Sequence, residues 1–381
     1  MNGYGDKKPM AKSNYSRKDV DVQELWKENS NTGINFSKYD KIPVSVQGEN
    51  KPKPINSFDD AQFGPVLMSN IRRAKYETPT PVQKWGIPII KERRDLMATA
   101  QTGSGKTAAF LFPMIDKLAG SRLGARDGMA GMAVAPQVVI MAPTRELVVQ
   151  IYDEARKFTA GTDLRCCNVY GGTSVQDQLH ALSGGCNILA ATPGRLLDFV
   201  ERGRISFANV QFLVLDEADR MLDMGFMPQI KNCVYHKTMA SGRQTLMFSA
   251  TFPVQIQRLA KEFLNDYLFL TVGVVGGACT DVRQTFHNVS DKPRMERNEM
   301  LVEMLQGQGR GRGGGQEKTL IFVEQKKHAD VLALFLCQEN LPATTIHGDR
   351  AQEEREMALA DFSSGRKPIL VATAVAGNEL F

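Results

Sequence analysis

The chain has 381 residues, of which 42% are hydrophobic and 23% charged, and a net charge of +5. This is an ordinary globular composition, long enough for two domains with proper cores, and its mild positive charge permits a polyanionic partner without arguing for one. Six scattered cysteines, one adjacent pair at Cys166-Cys167 and no Cys-x-x-Cys spacing, indicate neither a zinc site nor a disulfide framework, and no apolar run is long enough to span a bilayer, so the thiols are expected to be reduced in a cytoplasmic or nuclear protein.

Residues 1–57 are rich in Lys, Asn, Ser, Gly and Pro and are predicted to form a flexible arm, with Lys51-Pro52-Lys53-Pro54 as a semi-rigid spacer. From Phe58 to residue 270 the pattern predicts strands at Leu96–Ala100, Val138–Ala142, Cys166–Tyr170, Asn187–Ala191, Phe212–Leu215, Thr245–Ser249 and Leu268–Val272. Amphipathic runs such as Arg145–Phe158 and Pro253–Leu264 lie between them, and this alternation means a parallel sheet covered on both faces. Residues 271–285 read as a linker with a hinge at Gly273–Cys279. The alternation restarts in 286–381, with strands at Leu320–Val323, Thr344–His347 and Ile369–Thr373 and helices at Gln325–Gln338 and Gln352–Phe362. The glycine–arginine run Gln306–Gly315 reads as a flexible solvated loop. The fold class is α/β, with two parallel-sheet domains in tandem and the second incomplete.

Ala100-Gln101-Thr102-Gly103-Ser104-Gly105-Lys106-Thr107 joins a predicted strand to a predicted helix. A glycine loop ending in Gly-Lys-Thr at a helix start is a phosphate cradle. Gly103 and Gly105 let backbone N–H groups approach phosphates, Lys106 sets an ammonium against the outer ones, and the Thr107 hydroxyl can coordinate Mg²⁺. Ala100 stands where the general pattern begins with glycine. Further on, the apolar run Phe212–Leu215 delivers Asp216 and Glu217 to the carboxyl end of a strand. One acid there can hold Mg²⁺ and its neighbour can orient an attacking water, so the two stretches are complementary halves of one Mg–triphosphate site.

Asp216-Glu217-Ala218-Asp219 resembles the signature of the DEAD-box RNA helicases, and other stretches match that family in its order. Pro79-Thr80-Pro81-Val82-Gln83 is similar to its glutamine motif, with Phe58 as the isolated upstream aromatic. Pro143-Thr144-Arg145-Glu146-Leu147, Gly171-Gly172 and Thr192-Pro193-Gly194-Arg195 are similar to its RNA-contacting motifs, and Ser249-Ala250-Thr251 to its coupling motif. Ile321-Phe322-Val323-Glu324, His347-Gly348-Asp349-Arg350 and Gln352 with Arg355 continue the match, which runs from about Phe58 to Ala376; Val272–Val282 and Ile346–Arg355 are most similar to the Vasa branch, with its Ded1-like relatives next.

The resemblance implies two RecA-like domains that close on ATP and Mg²⁺. Gln83 would read the adenine edge, with Tyr76 or Phe58 as an aromatic surface beside the base. Gln101, Thr102, Gly103, Ser104, Gly105, Lys106 and Thr107 would hold the phosphates. Asp216 and Thr107 would hold Mg²⁺, Glu217 would activate water, and Ser249 and Thr251 would link nucleotide state to closure. Single-stranded RNA, gripped by its backbone without sequence preference, would lie on Pro143, Thr144, Arg145, Gly171, Gly172, Thr192, Pro193, Gly194, Arg195, Gly348, Asp349 and Thr373. Short duplexes would open when closure bends the strand. The resemblance also implies a monomer without membrane contact, located in the cytoplasm and in perinuclear RNA granules, with germ-granule proteins as partners.

One stretch departs from the family. Val375-Ala376 is followed by Gly377-Asn378-Glu379-Leu380-Phe381, where the family continues Ala-Arg-Gly-Leu-Asp, and the family's arginine-rich motif is absent. Such arginines stabilise charge on a transferring phosphoryl group. Two readings follow: an RNA-dependent ATPase and helicase, or a non-catalytic ATP- and RNA-binding short form that scaffolds or competes with a full-length enzyme. Residues 58–270 are expected to fold alone, and 286–381 to be loosely folded.

Overall fold

The structure, a computed structural model, describes residues 22–26, 42–121, 129–130, 133–273, 283–307 and 317–373. The chain divides into two compact units, with the boundary between Ala278 and Cys279. The hinge beyond Gly273, most of the glycine–arginine run and everything after Thr373 lie outside the described residues.

The strands of the first unit are β1 (Val44–Gln47), β2 (Leu96–Thr99), β3 (Met129–Ala130), β4 (Ala133–Val134), β5 (Val138–Met141), β6 (Cys166–Val169), β7 (Ile188–Ala191), β8 (Phe212–Leu215), β9 (Gln244–Ser249) and β10 (Leu268–Val272). Eight of them form one sheet in the order β1-β10-β2-β9-β8-β5-β7-β6, while β3 and β4 pair with each other. Every pairing in the large sheet is parallel except β1 with β10. Strands β2, β5, β7, β8 and β9 are buried along their whole length, as a parallel sheet covered on both faces requires.

The helices of this unit are α1 (Val22–Leu25), α2 (Pro65–Arg73), α3 (Pro81–Lys91), α4 (Lys106–Gly120), α5 (Arg145–Phe158), α6 (Val175–Leu182), α7 (Pro193–Glu201), α8 (Ala218–Asp223), α9 (Met227–Val234) and α10 (Val254–Phe263). Local chemistry sets their starts. Proline occupies the first position of α2, α3 and α7, where its missing N–H costs nothing, and the Thr144 and Ser174 hydroxyls cap α5 and α6. One apolar cluster, with Phe110, Phe112 and Phe158 at its centre, covers one face of the sheet; a second, with Phe199, Phe207 and Met247, covers the other.

The arm expected over residues 1–57 needs correction. Val44–Gln47 is an edge strand antiparallel to β10, with its side chains alternating between part-buried and exposed, and Val44 and Val46 pack on the core. A four-residue alternation, Val-Ser-Val-Gln, set in polar and proline-rich sequence is too short to stand out. Upstream, Leu25 is buried, and the Arg73 guanidinium lies 4.4 Å from the centre of the Trp26 ring.

In the second unit α11 (Arg294–Gly307), α12 (Lys326–Gln338) and α13 (Gln352–Ser363) accompany β11 (Thr319–Val323), β12 (Ala343–Ile346) and β13 (Ile369–Thr373). The strands form a parallel sheet in the order β11-β13-β12. Ala329, Leu332, Ala333 and Leu336 face its small core from α12, on the stripe expected from the sequence. Helix α11 is not among the expected elements, and of its residues only Val302 is buried.

Candidate nucleotide and RNA sites

The turns that follow the first unit's parallel strands line up along one edge of the sheet, and the strand order divides that edge into two halves. The half on β2, β9 and β8 collects the phosphate loop, Ser249 and Asp216. The half on β5, β7 and β6 collects Pro143–Arg145, Thr192–Arg195 and Gly171-Gly172. Backbone bonds at the strand ends fix the turns to one another. Ala100 N–H donates to Ser249 O at 3.1 Å, Asp216 N–H to Met141 O at 2.9 Å, and Thr192 N–H to Val169 O at 3.0 Å.

In the nucleotide half, Lys106 opens α4, is nearly buried, and donates from Nζ to Ala100 O at 3.0 Å. Gly105 adopts φ +86°, and a Cβ there would lie 2.5 Å from Gln83 Nε2, so only glycine fits. Thr107 and Gln101 are half-buried, while Thr102 and Gly103 are exposed at the loop tip. The Ser104 and Ser249 hydroxyls are buried without a hydrogen-bond partner. Unsatisfied buried hydroxyls at a phosphate cradle fit a ligand that brings its own acceptors.

Asp216 is 3% exposed, and burial pushes its carboxyl up to about 6. The Lys106 ammonium and the Glu217 N–H, which donates to Oδ1 at 3.0 Å, pull it down; Glu217 and Asp219 add repulsion. A carboxylate held ionised at this expense is suited to a divalent cation. Among the described residues no cluster of three His, Cys, Asp or Glu side chains forms a cage for a metal. Mg²⁺ does not require one, because it takes one or two carboxylates with phosphate oxygens and water, and Asp216 and Thr107 fit that role.

Glu217 has φ +52°, a left-handed conformation that costs a non-glycine residue on the order of 1 kcal/mol. Its carboxylate accepts from Arg220 Nη1 at 3.2 Å. Asp219 Oδ2 accepts from Thr251 N–H at 2.9 Å and from the Thr251 hydroxyl at 2.7 Å. The acidic turn after β8 is thereby joined to the turn after β9. Asp219 and Arg220 received no role from the sequence, although the i,i+3 spacing of Glu217 and Arg220 on a helix start is legible there.

Of the residues expected beside the base, Gln83 and Phe58 are buried and Tyr76 is half-buried. Gln83 is 1% exposed, and both ends of its amide are engaged within the protein. Oε1 accepts from Thr80 N–H at 2.9 Å, and Nε2 donates to Gly105 O at 3.1 Å. The Thr80 hydroxyl donates to Ser104 O at 2.7 Å. In this structure Gln83 braces the phosphate loop. The Thr-x-x-Gln spacing that places Gln83 there is a capping-box signature. Phe58 is buried, with its ring edge-on to Tyr76 and Phe112 at 6.1 and 5.9 Å. Tyr76 is half-buried against Phe112 and Phe158, and burial raises its hydroxyl well above the usual range.

In the RNA half, Arg145 begins α5 with its guanidinium 5.0 Å from the centre of the Tyr170 ring. Arg195 lies in the first turn of α7, donates from Nη2 to Thr173 O at 3.4 Å, and keeps Nη1 buried without a partner. Pro143, Thr144, Thr192 and Pro193 are buried; Gly171, Gly172 and Gly194 are exposed, which leaves open backbone beside the two arginines. In the second unit Gly348 and Asp349 are exposed, Asp349 pairs with Lys326 at 2.6 Å, and Thr373 is buried at the end of β13. His347 and Arg350 both bond Asp330, at 3.1 and 2.8 Å. Burial pushes the Asp330 carboxyl up, but these two bonds outweigh it and the net shift is downward.

A glycine loop with its lysine at a helix start, a buried acid on a nearby strand end and buried unpartnered hydroxyls on the same strand ends define a P-loop nucleoside-triphosphate site on a parallel sheet. The chain matches the DEAD/DEAH box helicase family over residues 80–259 and the helicase conserved C-terminal domain family over residues 296–378. It is 48% identical over 360 residues to the ATP-dependent RNA helicase vasa of Drosophila melanogaster, covering 94% of this chain and 52% of the fly protein. The chain therefore spans about half the length of that relative. It resembles the crystal structure of the yeast DEAD-box splicing factor Prp28, with 31% identity, TM-score 0.58, and coverage of 92% of this chain and 79% of that one. It also resembles a DEAD box protein from the hyperthermophile Methanococcus jannaschii, with 30% identity, TM-score 0.52, and coverage of 84% of this chain and 80% of that one. The chain belongs to the DEAD-box helicase family.

Proposed function

We propose that this protein is an ATP-dependent RNA helicase that binds ATP with Mg²⁺ and single-stranded RNA and opens short duplexes. The observation that carries this reading is the division of one sheet edge into a phosphate half and a cationic half, joined by strand-to-strand hydrogen bonds. Lys106 and the loop N–H groups bind the phosphates, and Thr107 and Asp216 hold Mg²⁺, which when bound neutralises phosphate charge. Glu217, fixed by its backbone and by Arg220, orients the attacking water. The Asp219–Thr251 bonds and the unpartnered Ser249 hydroxyl transmit the state of the phosphate loop to the rest of the edge. Arg145, Arg195 and the exposed glycine backbone grip RNA phosphates, with Gly348, Asp349 and Thr373 as the second unit's share. A grip of this kind follows backbone shape and is indifferent to sequence.

The resemblance to the Vasa branch supports a cytoplasmic location in RNA granules with germ-granule proteins as partners; co-sedimentation of the endogenous protein with such granules tests this. Among the described residues no helix is long and apolar enough to cross a membrane. The biochemical test is RNA-stimulated phosphate release with strand separation. K106A is expected to lose ATP binding, and E217Q to keep ATP and RNA binding while losing release. Turnover that is indifferent to RNA, or insensitive to both substitutions, would overturn the reading.

A further inference from the structure

We infer that Gln178 is a positioning residue of the RNA half, where one buried amide sets the spacing between Arg145, the Gly171-Gly172 backbone and Arg195; this rests on the RNA reading above. Strand β6 is an edge of the large sheet, and its ladder with β7 ends at Val169 and Ala191. Beyond it Gly171 and Gly172 are exposed, Gly172 with φ +80°, and open space surrounds the place where a Cβ would stand on either. Glycine backbone is the freest to move, so this pair is held through the residues on either side of it.

Gln178 holds both sides. It lies on α6, whose start is capped by the Ser174 hydroxyl accepting from Asp177 N–H at 3.3 Å, and it is buried. Its Oε1 accepts from Tyr170 N–H at 3.1 Å, while Nε2 donates to Tyr170 O at 3.0 Å and to the Thr173 hydroxyl. The amide therefore bonds Tyr170 as a neighbouring strand would, and reaches across the glycine pair to Thr173. Each of these two residues carries one arginine of the RNA half. The Arg145 guanidinium lies 5.0 Å from the centre of the Tyr170 ring, and Thr173 O accepts from Arg195 Nη2 at 3.4 Å. Arg195 Nη1, buried without a partner, is thereby held at a fixed distance from the open glycine backbone. Contacts to successive phosphates reinforce one another only when the donors stand at the spacing of the strand. One side chain that fixes three contact points governs RNA affinity without touching RNA.

The test separates RNA from nucleotide. For the full chain, affinity for a single-stranded oligouridylate is measured across a salt series with a saturating non-hydrolysable ATP analogue, and ATP affinity is measured without RNA. Methionine matches the length of glutamine but cannot donate to Tyr170 O or Thr173. Q178M is expected to weaken RNA binding about tenfold and to flatten the slope of log affinity against log salt by about 0.7, the share of one phosphate contact, with ATP affinity within about twofold of wild type. T173V removes a single bond of the amide at a half-buried site and is expected to weaken RNA binding roughly threefold. In an R195Q background Q178M is expected to cost less than its tenfold alone, because part of its effect runs through Arg195. Loss of ATP and RNA affinity together, earlier melting with unchanged RNA affinity and salt slope, or losses in Q178M and R195Q that simply multiply would overturn the role of Gln178 alone. If Q178M does not fold, T173V decides, and wild-type RNA affinity in it overturns that role. A wild-type chain that does not bind the oligonucleotide would overturn the RNA reading and the role of Gln178 with it.

Discussion

In the first unit β2, β9 and β8 are flanked on both sides and covered on both faces, and the phosphate loop, Ser249 and Asp216 stand on their ends. Among the described residues of the second unit only β13 is flanked on both sides; β11 is half-exposed along its length, and Phe322 upon it is 52% exposed. The same kind of strand is thus a rigid support in one place and a partly wetted edge in the other. What differs is the number of covered neighbours, since both runs are equally apolar in sequence. A strand end positions a side chain only as firmly as its neighbours hold the strand.

A pair of phenylalanine truncations sharpens this comparison most. Phe248 on β9 is fully buried, 5.2 Å from Phe110 ring to ring, whereas Phe322 on β11 is largely in water. F248A is expected to destabilise the first unit by about 3–5 kcal/mol, and F322A to cost the second unit less than about 1 kcal/mol. Denaturant unfolding followed by a probe in each unit checks both values; equal losses would break the comparison. Hydrogen exchange should likewise be slower in β2, β8 and β9 than in β11.

Next come the charged groups on the buried strand ends. Removing one pre-organised electrostatic group of this kind costs about 10²- to 10³-fold in turnover, so K106A should abolish measurable ATPase activity. Asp216 carries the opposite liability. A carboxyl pushed from 3.8 up to about 6 forfeits on the order of 3 kcal/mol when ionised, as an upper bound. Above pH 6 the carboxyl is ionised in both the folded and unfolded chain, so the folded state carries the whole penalty. Below about pH 4 it is protonated in both, and the penalty vanishes. Without nucleotide, D216N should therefore raise the melting temperature at pH 7–8 and converge on wild type as the pH falls through 6 toward 4, while losing Mg²⁺-dependent ATP binding. A melting temperature unchanged at pH 8 would show that the buried carboxylate is not strained.

The sequence made most of this legible, for an identifiable reason. Buried parallel strands are short apolar runs, and the predicted and observed strands agree within a residue at each end, from Phe212–Leu215 to Ile369–Thr373. The phosphate loop and the acidic turn were legible because their chemistry lies in contiguous residues. Several features were not, α11 among them. Strand β1 depends on β10, more than two hundred residues away, for its pairing and cover. The bond from the Gln83 amide to the Gly105 carbonyl was hidden, because the two meet only in the fold. The ammonium of Lys91 finds its carbonyls in the turn at Ala61-Gln62 and its carboxylate on α4, a constellation with no sequence pattern.

The smallest expected effect concerns ion pairs of the same type in the two units. On α5 Lys157 meets Glu154 at 2.7 Å with side chains 6% and 17% exposed, whereas Lys326 meets Asp349 at 2.6 Å with side chains 51% and 67% exposed. Coulomb attraction is screened in the second case, and the long Lys326 side chain loses rotamer freedom to form it. E154Q should cost about 1 kcal/mol and keep that cost in 1 M salt, and D349N a few tenths that salt erases. The second value matters for function. Because D349N leaves the fold nearly untouched, a loss of RNA binding in that variant would report on the RNA surface and not on unfolding. Wild-type RNA affinity in D349N would remove Asp349 from that surface, and the cationic half of the first sheet would then carry the grip without it.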